Sequence, residues 1–458
     1  MRFRHATITI IACIVLLTTG LGCKGLSKEE KRAIRPVTLQ YWTVFGNTEE
    51  LNARANAYMR RHPFVRIAIR KVQYSEFENL FINALADDVG PDIISVNIRD
   101  LQKYAPRLST MPPATRVATT YIKGQYAQER VVNFETNLLP SKNFIRGNYI
   151  TSVANNIILN DDVYGLPLSV DTMALFYNKD LLDQSGIPLP PNTWTEFAEQ
   201  STQATRQDAQ GNIVQAGSTM GAGQSIENSP DILMLLLMQN GITPIQGSRV
   251  KFSEKIRETN MEHPLFLTLR FYTDFANDTK EVHTWDQSLS SALDAFTSNR
   301  AVFYPGFSYE LATIKARAPQ MNLGIAPMPQ LTPQRPVNIA NFFIESVVKK
   351  SKNQIYAWDF IRFLNTSTNL LTYNTANESL SPLRAHVQTQ KENPLLEPFV
   401  SQILYAKNWY SGSNISATQT AIRDLIDKFP EPAATPNQKL KKDQTLIQNT
   451  AKKIQQTL

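Results

Sequence analysis

Val37-Thr38-Leu39-Gln40-Tyr41-Trp42 alternates as a strand does, and Gly46-Asn47-Thr48-Glu49-Glu50 then opens a helix. Asn47 stands as its N-cap with Glu50 three residues on, and Leu51, Ala55, Tyr58 and Met59 fall on one face. His62-Pro63 stops that helix, and Val65-Arg66-Ile67-Ala68-Ile69 reads as the next strand. Phe77, Leu80, Phe81, Ala84 and Leu85 mark a second amphipathic helix, ended by Gly90-Pro91. Asp92-Ile93-Ile94-Ser95-Val96 follows as a short buried strand of the parallel kind. This alternation of strand and helix is the rhythm of a three-layer α/β domain, whose right-handed crossovers stack the strands in one sheet.

Toward the C-terminus, residues 100–150 are less regular, with Pro106, Pro112, Pro113 and Pro140 interrupting weak helical stretches. Asp162-Val163-Tyr164-Gly165-Leu166-Pro167 is a turn leading into the strand Met173 to Tyr177. Asn178 caps a short helix from Lys179 to Ser185 with Gly186 at its exit, and Thr193-Trp194-Thr195-Glu196 is a capping box. Ile232 to Met238 forms an apolar core helix. Asn299-Arg300 turns into the strand Ala301 to Tyr304, which Pro305-Gly306 is expected to end. Leu323 to Ala326 is a strand closing in the loop Pro327-Met328-Pro329, and a helix begins near Asn353. Ile447, Ala451, Ile454 and Leu458 share one face of a docked terminal helix.

The chain has 458 residues, enough for two large domains or three smaller ones. With 42% hydrophobic, 19% charged and 9% aromatic residues it is neither disordered, collagen-like nor a polytopic membrane protein. The net charge of +7 is concentrated at the ends: +2 in residues 1–22, +3 in 24–35 and +4 in 439–458, leaving −2 for 36–438. A body without a basic surplus argues against a nucleic-acid partner.

Arg2 and Arg4 precede the apolar run Ala6 to Leu17, and small residues lead to Leu21-Gly22-Cys23. This is a secretory signal over residues 1–22, with an apolar run shorter than a spanning helix needs. The only other cysteine, Cys13, lies inside the signal, so the mature chain forms no internal disulfide. Residues 23–36 read as a solvated tether. An uncleaved membrane helix, or plain cleavage leaving a spare thiol at Cys23, are the competing readings.

No nucleophile elbow, phosphate loop or metal-ligand spacing is present, and His62, His263, His283 and His386 are scattered. No catalytic residue, cofactor or metal site is therefore assigned. Paired carboxylates of a glycoside hydrolase carry no local signature, so that class stays open.

The stretch Tyr164 to Leu182, continuing through Ser185-Gly186-Ile187-Pro188 to Pro191-Asn192-Thr193-Trp194, resembles the most characteristic segment of extracellular solute-binding proteins of the maltose-binding type. The strand with Trp42, Gly90-Pro91-Asp92-Ile93-Ile94, Ser298 to Phe307 and Gly324 to Pro329 are similar in order and distance. Gly22-Cys23 likewise resembles a lipobox, departing from it at Gly20, where leucine is usual. The resemblance implies a two-lobed periplasmic-binding-protein-like fold (type II), with lobe 1 from 37–168 plus 346–375 and lobe 2 from 169–345 plus 376–458. Hinge crossovers would fall near Leu168 to Asp171, Phe343 to Val347 and Tyr373 to Pro382. It further implies a monomer that captures a carbohydrate, held at a membrane through acylated Cys23 on the extracytoplasmic side, with the permease of an ABC importer as partner. Another polar solute, such as a glycerol-phosphate ester, polyamine or peptide, is the alternative ligand.

Sugars present apolar C–H faces and rims of hydroxyls, so aromatic platforms beside hydrogen-bonding side chains hold them. On the family's pattern Trp42, Phe45 and Asn97 face the cleft from loops of lobe 1. Asp171, Tyr304, Gly306, Phe307 and the pair Trp409-Tyr410 do so from the hinge and lobe 2, with Trp285 as a further candidate without a counterpart.

Overall fold

The computed structural model describes residues 27–123, 129–258, 260–286, 289 and 291–458; the expected signal and Cys23 lie outside them. In chain order the elements that matter here are α1 (Lys28–Ala33), β1 (Val37–Thr43), α2 (Thr48–Arg61), β2 (Val65–Lys71), α3 (Tyr74–Ala86) and β3 (Ile93–Asn97). A pair of long strands follows, β4 (Ala114–Lys123) and β5 (Glu129–Leu138). Next come β6 (Asp171–Asn178), α4 (Trp194–Ala204), β7 (Ile213–Ser218), α5 (Ser229–Gln239), β8 (Ala301–Phe307), β9 (Leu323–Ala326), β10 (Asn338–Asn341) and β11 (Phe343–Val347). The chain closes with α6 (Gln354–Leu364), α7 (Ser367–Ala376), β12 (Ala406–Lys407), α8 (Ile415–Lys428) and α9 (Pro436–Gln455).

Two sheets organise these elements. The first has the order β11-β3-β1-β2, with β1 parallel to both β2 and β3 and β11 antiparallel to β3. All five residues of β3 are buried, as its unbroken apolar reading requires. Asn47 caps α2 by accepting the Glu49 amide at 2.9 Å, and Leu51, Ala55 and Tyr58 turn inward. The second sheet is built around β6, which runs antiparallel to β8, β9 and β10, with β7 parallel to β8. The capping box of Thr193 and Glu196 starts α4, which packs on β7.

The chain changes sheet at three neighbouring places. Leu166 pairs with Glu345 of the first sheet, whereas β6 begins the second sheet at Asp171. β10 belongs to the second sheet and β11 to the first, so the switch falls at Phe342. The division expected at 345/346 therefore moves three residues earlier, because Phe343 to Glu345 hydrogen-bond to β3. The last crossing lies between α7 and β12, and Val170 pairs with Leu380 beside it.

Three local expectations change. Residues 114–123 and 129–138 are extended: β4 and β5 form an antiparallel ribbon paired from Ala114↔Leu138 to Lys123↔Glu129. Its register is set by contacts distant in sequence, since buried Asp359 on α6 accepts hydrogen bonds from Thr115 Oγ1 (2.8 Å) and Asn137 Nδ2 (2.9 Å). The strand from Ala301 runs through Pro305-Gly306 to Phe307, paired with β6. Proline is tolerated there because pairing with β7 ends at Phe303, leaving Pro305 one neighbouring strand. Finally, the expected tether contains helix α1, opened by a capping box of Ser27 and Glu30, though none of its residues is buried.

Gly217 on β7 shows how closely α4 approaches the second sheet: a Cβ there would lie 1.8 Å from the Ser201 carbonyl oxygen. Gly217→Ala is expected to cost about 3 kcal/mol, read as a fall in the denaturant midpoint.

Candidate functional site

The groove between the lobes is built from turns that follow β3 and β8. On the first lobe, Asn97 ends β3 and its Oδ1 accepts the Arg99 amide at 3.0 Å, closing the 3₁₀ turn Ile98–Asp100. That turn directs Arg99 across to the second lobe. There its guanidinium donates to both oxygens of Asp231, Nη2 to Oδ1 at 2.6 Å and Nη1 to Oδ2 at 3.2 Å. Asp231 lies in the first turn of α5, where the helix dipole favours a carboxylate. Trp409 donates its indole N–H to Asp231 Oδ1 at 2.6 Å, and the Arg99 guanidinium stands 5.2 Å from a Trp409 ring centroid.

On the second lobe, the turn after β8 is fixed by Glu310. Its buried carboxylate accepts from the Phe307 amide at 2.6 Å, from Asn228 Nδ2 at 2.9 Å and from the Tyr304 hydroxyl. Ser308 donates to Asp171 Oδ1 at 2.8 Å. Tyr309 then lies flat on Phe307, with centroids 5.5 Å apart and ring planes 12° apart. Phe307 is buried beneath it, whereas Tyr309 is 55% exposed. Tyr309 is thus an open aromatic face on a turn that Glu310 fixes and Ser308 ties to Asp171.

The first lobe contributes a second aromatic group. Phe45 stacks on Phe343 at 4.7 Å and 18°, and Tyr74, 49% exposed, meets Phe343 edge-on at 5.9 Å. The Tyr74 hydroxyl is anchored on Asp100 Oδ2 at 2.6 Å. One turn beyond Arg99, Gln102 lines a cavity of about 900 Å³ together with Leu108, Ser109, Tyr164 and Gln354 of the first lobe and Ser248 of the second. Leu108 bridges to Val348, so this cavity lies toward the Ile93 end of β3 and away from Asn97.

Glu345 sits in the hinge strand β11, fully buried, accepting from Ser95 Oγ at 2.8 Å. Burial pushes its carboxyl up to about 7, partly offset by the Tyr41 and Ser95 hydroxyls. Burial likewise raises Glu310 to about 7 and Asp171 to about 6, each partly offset by its hydrogen bonds. Carboxyls raised in the folded state above their ordinary range bind protons more tightly when folded. Their stabilisation is full below about pH 4 and is lost as pH rises through about 7. The thermal midpoint is therefore expected to fall between pH 5 and pH 8, and Glu345→Gln to flatten that slope.

Of the residues expected from sequence, the structure gathers Asn97, Asp171, Phe307 and Trp409 around Arg99, Asp231 and Tyr309. Phe45 lies on the first-lobe aromatic group. Tyr304 and Gly306 sit beneath the turn: a Cβ at Gly306 would meet the Tyr304 ring at 2.6 Å and Glu310 Oε2 at 2.8 Å. Trp42 is buried in β1 with the Arg70 guanidinium over its ring. Tyr410 faces the C-terminus, donating to the Thr457 carbonyl at 3.1 Å. Trp285 is not brought to the groove; it is fully buried within the second lobe, its indole N–H on Ser225 Oγ at 3.0 Å. Sequence reasoning missed Arg99, Asp231, Tyr309, Phe343 and the buried Glu310 and Glu345. The aromatic-x-aromatic spacing Phe307-Ser308-Tyr309 was the available signal for one of them. Among the described residues no group of three or more His, Cys, Asp and Glu side chains is placed to hold a metal.

Two α/β lobes joined by three crossings and meeting at Arg99 and Asp231 define a two-lobed binding fold of the maltose-binding type. The chain belongs to the bacterial extracellular solute-binding protein family, whose profile matches residues 53–398. It is similar to the multiple sugar-binding protein of Streptococcus mutans, 23% identical over 246 residues, 53% of this chain and 56% of that one. The chain thus spans about half the length of the curated relatives it matches. Among solved structures it is similar to the cyclic α-maltosyl-1,6-maltose binding protein of Arthrobacter globiformis, at 16% identity and TM-score 0.68, covering 91% of this chain and 99% of that one. The sugar-binding protein MalE of Xanthomonas citri is comparable, at 17% identity and TM-score 0.67, covering 91% and 98%. At such identities the likeness concerns the fold. No helix among the described residues is long and apolar enough to cross a membrane.

Proposed function

We propose that this protein is the exported capture component of an ABC importer, anchored through acylated Cys23, and that it clamps an oligosaccharide between its lobes without altering it. The observation that carries the reading is Tyr309: a half-exposed ring lying on buried Phe307, in a turn that Ser308 ties to Asp171 at the hinge. A pyranose packs its C–H face on such a ring while its hydroxyls meet hydrogen-bonding groups beside it. The names of several relatives, a multiple sugar-binding protein and two oligosaccharide-binding proteins, support a sugar over other polar solutes.

Calorimetric titration against α- and β-linked di- to pentasaccharides, arabino- and galacto-oligosaccharides and glycerophosphodiesters tests this. The expected result is saturable binding of an oligosaccharide at micromolar or tighter concentration, with the sugar recovered intact. Heat from the phosphodiesters alone, or hydrolysis products, would overturn it.

A further inference from the structure

We infer that Arg99 and Asp231 form a latch that holds the two lobes together by itself, so that the clamp's resting position is set by this pair as well as by ligand. The inference rests on the two-lobed architecture and not on what the groove binds.

Arg99 follows β3 in the first lobe, and Asp231 opens α5 in the second. Their side chains are 4% and 5% exposed, so the pair is desolvated, and both guanidinium nitrogens that reach Asp231 do so in a forked arrangement. Trp409, also from the second lobe, completes a seat for the guanidinium: its N–H holds Asp231 Oδ1 and its ring lies against the cation. A seat made of a carboxylate, an indole N–H and an aromatic face fits a guanidinium closely.

The two partners are not equally dependent on the contact. Without Arg99, Asp231 keeps the Trp409 donor and the N-terminus of α5. Without Asp231, Arg99 loses both its acceptors, and a buried unpaired cation is strongly unfavourable. A hinged protein has an escape that a rigid core lacks: the lobes separate and the guanidinium returns to water. Removing one partner should accordingly open the protein and leave it folded. The Arg99 Nε–H, buried without an acceptor, already opposes the closed arrangement, which keeps the latch reversible.

The test is small-angle X-ray scattering on the sugar-free full chain and its variants, with circular dichroism confirming that each is folded. Asp231→Asn, which leaves the cation unpaired, is expected to lower the ratio of closed to open forms about a hundredfold and Arg99→Gln by less, each seen as an increased radius of gyration and maximum dimension relative to the parent. If Arg99→Gln fails to fold, Trp409→Phe, which deletes one donor to Asp231 and keeps a ring, should give a smaller shift in the same direction. Identical scattering from the parent and the folded single variants would overturn the inference. No arm uses a ligand, so failure here leaves the oligosaccharide reading to its own titration.

Discussion

Tyr309→Ala is expected to weaken oligosaccharide binding about thirtyfold, or ~2 kcal/mol, in calorimetric titration with whichever sugar binds the parent protein. The size follows from the arrangement: Phe307 is buried under Tyr309 and Glu310 fixes the turn, so the ring is presented with little freedom left to lose. Tyr309→Phe should retain most of the affinity, since the stacked face and not the hydroxyl carries the contact. Trp285→Phe serves as the control, because that indole is enclosed in the second lobe and should leave the affinity unchanged. An unaltered affinity in Tyr309→Ala would remove Tyr309 from the site.

The largest effect on stability is expected at Asp359. This fully buried carboxylate on α6 accepts from the Tyr58 hydroxyl at 2.9 Å, Thr115 Oγ1 at 2.8 Å, Asn137 Nδ2 at 2.9 Å and Arg362 Nε at 3.1 Å. It therefore joins α2, both strands of the β4–β5 ribbon and its own helix. Asp359→Ala strands four donors at once, and about 4 kcal/mol of destabilisation is expected in urea or guanidinium unfolding. The ribbon should become the earliest site of proteolytic cleavage, because both strands lose their anchor. Lys350→Ala, by contrast, breaks an ion pair whose side chains are 61% and 81% exposed and should leave the midpoint in place.

The parts of the fold legible in the sequence are those whose signals are local. β1, α2, β2, α3 and β3 follow from alternation, an Asn cap and a proline stop, and α4 follows from its capping box. The β4–β5 ribbon was hidden because its anchor, Asp359, stands more than 200 residues away and the prolines around it resembled helix breakers. The passage between sheets at Phe342 was hidden for a related reason. β10 and β11 are extended segments with only Phe342 between them, and only their partners, β6 and β3, assign them to different lobes.

The groove shows the same division. The loops were named through Asn97, Phe307 and Trp409, yet the side chains that meet across the lobes are Arg99 and Asp231, and the exposed ring is Tyr309. Two-residue offsets of this kind are set by the turn at Ile98–Asp100 and by the Glu310 carboxylate, neither of which leaves a periodic trace. Trp285 illustrates the opposite error: a tryptophan is equally suited to a platform and to a core, and burial alone separates them.

The central claim is that solute is held between the lobes and not on the surface of either. Hydrogen–deuterium exchange during titration with the binding sugar tests it directly. Slowed exchange is predicted on both walls at once, in residues 97–101 of the first lobe and in 307–311 and 408–410 of the second, with the crossings at 168–171 and 341–345 also protected. Protection confined to one lobe, or located at the outer groove lined by Asn414, Ala417 and Lys453, would contradict the account.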